Sequence, residues 1–142
     1  MLTIERPLLE ELLNHLQACY PQEGCGLLAG NEATGVVTAV YPIENSLHSP
    51  TAYRMDPTQQ VQAMLSLEER GWQMLAIYHS HPQGPELPSA TDVVLAMYPD
   101  ALHVIVSLQD RAAPMVRTFR IVGQDVVEQS MRVVQPSDEN CV

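Results

Sequence analysis

The chain has 142 residues, 46% of them apolar and 17% charged, values that suit one compact domain folding on its own and exclude disordered, collagen-like and fibrous chains. Seven basic residues against seventeen acidic ones give a formal charge of −10, so the attraction for phosphate that dominates nucleic-acid binding is missing. No apolar run approaches the roughly 20 residues needed to span a bilayer, and neither nucleic acid nor a membrane is an expected partner.

The start MLTIERPLLEELLNHL has no basic region followed by an unbroken apolar stretch, which speaks against a signal peptide and makes the cytoplasm the expected location. Leu8, Leu9, Leu12, Leu13 and Leu16 recur at helical spacing, predicting a first helix from Pro7 to about Ala18 with proline in its first turn. GCGLLAG and the β-branched GVVTAVY then read as a hairpin turning at Asn31 to Thr34. The polar stretch PIENSLHSPTAYRMDP reads as a long loop or short edge strand. Asp56-Pro57 starts a second helix that runs to about Arg70, with Val61, Met64, Leu65 and Leu67 or Glu68 on its buried face and Gly71 ending it. The run MLAIY before His79 is a buried central strand. PQGPELPS, with three prolines and a glycine in eight residues, can only be loop. Ser89 to Met97 reads as a third helix, and LHVIVSL, PMVRTFRIV and QDVVEQSMRVV as three strands. The sum is a mixed α/β domain over residues 1–135, a mostly antiparallel sheet of about six strands flanked by about three helices, with a polar tail at 136–142.

The informative stretch is Tyr78-His79-Ser80-His81, followed by the proline-rich loop and Ser89-Ala90-Thr91-Asp92. Side chains alternate across a strand, so His79 and His81 point the same way. Neutral imidazole is a good zinc ligand, and a catalytic zinc site keeps three protein ligands and one open position. Asp92 can complete the set, because the rigid loop turns the chain back toward the strand end. A metal there acidifies water and so supplies hydrolysis chemistry. Two plainer readings stand beside it. Ser89-x-x-Asp92 is close to a helix capping box, and a His-x-His pair at a strand end can simply be polar residues facing water.

His79-Ser80-His81, seven residues, Ser89, two residues and Asp92, with an upstream acidic residue in Glu23-Gly24-Cys25-Gly26-Leu27-Leu28, resembles the JAMM (MPN+) zinc metalloproteases of the small stand-alone prokaryotic type. The resemblance covers nearly the whole chain, including the Asn45, Ser49-Pro50, Tyr53 and Asp56-Pro57 segment. It implies a cytidine-deaminase-like MPN fold. It also implies one Zn2+ per chain on His79, His81 and Asp92, Glu23 as general acid/base, and Ser89 as a donor to the developing oxyanion. Its substrate class is a ubiquitin-like or sulfur-carrier protein, cut after a C-terminal Gly-Gly. The long insertions by which eukaryotic relatives grip ubiquitin are absent from this sequence. The family layout puts Asn45, Ser49 and Tyr53 near the cleft, where they either contact an extended substrate tail or cap turns.

Of the remaining residues, Cys25 reads as a small buried apolar side chain rather than a thiolate ligand. Cys19, Cys25 and Cys141, odd in number and without C-x-x-C spacing, read as free thiols. His103 belongs to a strand, His15 to a helix surface and His48 to a loop. Ser80 and Thr91 sit beside ligands and can support them. Two rival functions remain: a cupin-like metal enzyme using His79, His81 and Glu86, and an MPN-type binding scaffold without catalysis. Oligomeric state is open, a homodimer included.

Overall fold

The computed structural model describes residues 1–89, 98 and 100–136. Strand β1 (Leu2–Glu5) leads directly into helix α1 (Arg6–Cys19), with Pro7 in the first turn. The expected hairpin is present as β2 (Cys25–Asn31) and β3 (Val36–Ile43). Helix α2 spans Pro57–Glu69 and the histidine-bearing strand β4 spans Gln73–His81. The C-terminal part supplies β5 (Leu102–Ser107), β6 (Met115–Val122), β7 (Asp125–Gln129) and β8 (Met131–Val134). No helix among the described residues is long and apolar enough to cross a membrane. The third expected helix, apart from Ser89, lies outside the described residues, as do Asp92, Thr91 and Cys141.

Among the described residues the sheet has eight strands in the order β7-β6-β5-β4-β2-β3-β1-β8, two more than expected. The first extra strand is β1, whose four residues are masked in the sequence by the amphipathic pattern that follows. The second arises because QDVVEQSMRVV breaks at Ser130: β7 pairs with β6, whereas β8 pairs with β1. One residue thus connects the two ends of the sheet, and its carbonyl accepts a hydrogen bond from Leu2 N at 3.1 Å. The sheet therefore curls around α1. Leu9, Leu12 and Leu16 fill the inside, packed with Leu2, Ile4, Leu28, Tyr78, Val104 and Val106. Four of the seven neighbouring strand pairs are antiparallel; β1 with β3, β1 with β8 and β4 with β5 are parallel.

Helix α2 covers the outer face of the sheet. Asp56 caps it by accepting from Gln59 N at 3.0 Å. At the other end Gly71 N donates to Glu68 O and Trp72 N to Leu67 O, with Gly71 at φ +74°, the paired closure that ends a helix on a left-handed glycine. The buried face differs from expectation. Ala63 and Leu67 are buried and Met64 packs partly against them, but Val61 and Leu65 are each 56% exposed. The helix carries two apolar rows at i, i+4, Ala63 with Leu67 and Val61 with Leu65. Periodicity cannot choose between them, and the larger side chains make the wrong row look like the core.

Candidate metal centre and active site

Strand β4 is central, antiparallel to β2 and parallel to β5. Its alternation sends Tyr78 toward α1 and His79 and His81 toward the opposite face. His79 lies level with Cys25 of β2 and Ile105 of β5, and His81 level with Ser107. The two histidines therefore stand at the C-terminal edge of a parallel pair, the position where α/β sheets place their ligands. Glu23, two residues before Cys25 and just ahead of β2, is brought beside the two histidines.

The three side chains converge. His79 Nε2 and His81 Nε2 are 3.2 Å apart. Ligand atoms of Glu23, His79 and His81 all lie within 4.8 Å of one another, and all three residues are buried. Nδ1 of His81 is 2.7 Å from the carbonyl oxygen of Pro85. A carbonyl can only accept, so that nitrogen carries the proton and Nε2 presents its lone pair inward. Tyr53 stacks on His79 with ring centroids 4.5 Å apart and planes at 28°. The donor set fits zinc: bonds of about 2.0–2.1 Å at a tetrahedral angle place two imidazole nitrogens roughly 3.3 Å apart. The proline-rich loop is held so that its carbonyl can serve His81. Gly84 N donates to His81 O at 2.9 Å, Leu108 N donates to the same oxygen at 3.1 Å, and Gly84 has φ +69°. A Cβ at Gly84 would come within 2.8 Å of both Ser107 Oγ and Gln109 Oε1.

The backbone around Glu23 is equally tied. Glu23 N donates to Ser49 O at 2.8 Å, and Asn45 Nδ2 donates to Glu23 O at 2.9 Å. At Gly24, N donates to Ser80 Oγ at 2.9 Å and O accepts from Ser80 N at 3.0 Å. Ser80 thus faces away from the histidines and links the carboxylate-bearing chain to the histidine strand. A cleft opens over this floor, lined by Glu23, His81, Thr51, Leu87, Ser89 and the prolines 50, 82, 85 and 88. Ser89 is exposed on its rim. On the other side of β4, His15 Nδ1 is 2.7 Å from the Tyr78 hydroxyl and its Nε2 is 3.5 Å from Cys19 Sγ. His15 is therefore a half-buried, partnered residue and not part of a plain helix surface, because the curled sheet encloses α1.

The family model for prokaryotic homologs of the JAB domain matches residues 5–122. The chain belongs to this family. It is 36% identical over 135 residues, 95% of this chain and 92% of the relative, to the CysO-cysteine peptidase of Mycobacterium tuberculosis. It is 47% identical over 94 residues, 66% of this chain and 62% of the relative, to a probable TtuB-protein conjugate cleaving protease of Thermus thermophilus. A solution structure of a protein from Desulfitobacterium hafniense superposes with a TM-score of 0.89 at 34% identity, covering 99% of this chain and 97% of that one. The prokaryotic JAMM/MPN+ assignment and the mixed α/β class follow.

Within this JAB-domain chain the cupin alternative fails. Among the described residues the carboxylate that joins the two histidines is Glu23, just ahead of β2, not Glu86, and two helices accompany an eight-stranded mixed sheet. Cys25 is fully buried, its thiol pushed up to about 12 by burial and then by the charges of Cys19 and Glu23; the thiol donates to Ile43 O at 3.4 Å and is not in the Glu23, His79 and His81 group. His103 is buried in β5 and His48 lies in a loop, both as expected. Of the three loop residues, Tyr53 meets His79, whereas the main chain of Glu23 is held by the carbonyl oxygen of Ser49 and by the side-chain Nδ2 of Asn45. Sequence reasoning missed Pro85 O and Gly84, whose only signal was a glycine in a loop otherwise stiffened by proline.

Proposed function

We propose that this JAMM-type hydrolase is a zinc peptidase that cuts the bond after the C-terminal Gly-Gly of a ubiquitin-like or sulfur-carrier protein. The observation that carries the reading is the 3.2 Å approach of His79 Nε2 and His81 Nε2 with the Glu23 carboxylate beside them. His79 and His81 would hold the metal with Asp92 as third ligand, Asp92 lying outside the described residues. Bound zinc supplies Lewis acidity, acidifying water and polarising the scissile carbonyl. Glu23 takes the proton from the attacking water and returns it to the departing amine. Ser89, on the rim of the cleft, donates its hydroxyl proton to the oxygen on which charge develops. Four prolines, 50, 82, 85 and 88, wall the cleft, and a tail of glycines, with no side chains, can lay its backbone closely against them. The relatives that act on CysO and TtuB conjugates support the substrate class.

The test is cleavage of a carrier ending in Gly-Gly fused to a reporter peptide, by the zinc-loaded protein and its Glu23→Gln variant. Chelation is expected to stop cleavage, and Glu23→Gln to lower kcat by about 10²–10⁴-fold with zinc still bound. Cleavage that survives metal removal, or an undiminished Glu23→Gln variant, overturns the assignment.

A further inference from the structure

Glu23 precedes β2 and has no place in the sheet ladder; both of its backbone hydrogen-bonding groups are instead given to the loop 45–55. Its N–H donates to Ser49 O at 2.8 Å and its carbonyl accepts from Asn45 Nδ2 at 2.9 Å. Asn45 is only 6% exposed, and its amide is committed in full. The second Nδ2 proton goes to Ala52 O at 2.9 Å, and Oδ1 accepts from Leu47 N at 3.0 Å and from Arg54 N at 3.1 Å. An amide offers two donors and two lone pairs, so nothing is left over for a substrate. The same loop carries Tyr53, which stacks on His79. A single buried side chain therefore folds the loop that meets both the carboxylate and the histidine.

We infer that Asn45 is a positioning residue for the Glu23 carboxylate, not a contact for the substrate tail. The inference rests on Glu23 acting as the acid/base of the proposed peptidase. Asn45 keeps the 45–55 loop closed on itself through Leu47, Ala52 and Arg54 and fastens that closed loop to the peptide of Glu23. Losing the donor end frees the Glu23 peptide to rotate while leaving His79 and His81 on their strand. A displacement of about 1 Å at a catalytic group costs roughly 10²-fold in rate. Replacing Asn45 by aspartate is the sharpest change, because it preserves the shape and the acceptor for Leu47 N and Arg54 N while removing both donors.

The experiment measures kcat, KM and zinc affinity by chelator competition for the full chain and for Asn45→Asp, Asn45→Ser and Ser46→Ala. Ser46 Oγ donates to Arg54 O at 3.1 Å in the same loop without touching Glu23, so Ser46→Ala reports general loosening. Asn45→Asp is expected to lower kcat about 100-fold, with KM and zinc affinity within about twofold of the parent. Ser46→Ala is expected to leave kcat unchanged. If the aspartate variant fails to fold, Asn45→Ser, with a donor that reaches less far, carries the same comparison. A raised KM at constant kcat restores the substrate-contact reading and overturns the inference. So does an unchanged kcat in both Asn45 variants, or a loss in Ser46→Ala equal to that in Asn45→Asp. A parent protein that shows no zinc-dependent cleavage fails the peptidase reading instead, a result distinct from all of these.

Discussion

Half-buried His15 and the buried pair His79 and His81 lie on opposite faces of β4, and they differ in what they meet. On the inner face, His15 has the Tyr78 hydroxyl on one nitrogen and the Cys19 thiol near the other, both supplied by the protein. On the outer face, His81 gives one nitrogen to Pro85 O and turns the other toward His79 Nε2 at 3.2 Å. A histidine with protein partners on both nitrogens is part of the architecture. Two histidines whose inner nitrogens face each other beside a carboxylate and an open cleft have the arrangement of a candidate metal site. The same residue type, on either side of one strand, reads differently according to where its second nitrogen points.

The sharpest way to break this contrast is His81→Ala. It is expected to abolish zinc binding and cleavage while the protein stays folded, seen as loss of metal by elemental analysis with an unchanged circular-dichroism spectrum. The inner face should behave in the opposite sense. Leu12 is fully buried between α1 and the sheet, so Leu12→Ala should cost about 2–5 kcal/mol in denaturant unfolding and leave kcat of the folded, zinc-loaded fraction unchanged. Gly84→Ala tests the support of the outer pair. A Cβ there meets Ser107 and Gln109, the loop shifts, and His81 loses Pro85 O; zinc affinity should fall about 10–100-fold, as for other partners of metal-binding histidines. Tyr78→Phe removes the hydroxyl from His15 and should cost about 1–2 kcal/mol with cleavage retained. If it instead impairs zinc binding, the two faces are coupled through the strand.

The smallest effect is a pH dependence. Burial lowers the pKa of His15 from its usual 6.5, so the folded protein resists the proton that the unfolded chain accepts. The contribution of neutral His15 is present in full above 6.5 and is lost as pH falls through that value toward the depressed one. Its neighbours Tyr78 and Cys19 are uncharged over this range, both thiol and phenol being pushed up by burial. The difference in thermal midpoint between the parent and a His15→Gln variant should therefore narrow from pH 7.5 to pH 5. A difference that widens on acidification would mean that His15 is stabilised as the cation.

Sequence by itself determined the parts of this protein that depend on short periods and local chemistry. Period two put His79 and His81 on one face, Asp56-Pro57 and Gly71 bounded α2, and the leucine spacing marked Leu8, Leu9, Leu12, Leu13 and Leu16 as a helix packed on the core, of which Leu9, Leu12 and Leu16 are the buried ones. The family motif added Glu23, which in Pro21-Gln22-Glu23-Gly24 would otherwise read as a solvated turn residue. Tertiary structure decided everything that joins distant segments. It brought Glu23 to the histidines across 56 residues of sequence, through the pairing of β2 with β4. It chose Ala63 and Leu67 over Val61 and Leu65, because the sheet surface selects between two equivalent helical rows. It joined the two ends of the sheet at Ser130, one residue between β7, paired with β6, and β8, paired with β1. It also turned Asn45 inward, since the partners of a buried amide are backbone groups whose meeting no local pattern encodes.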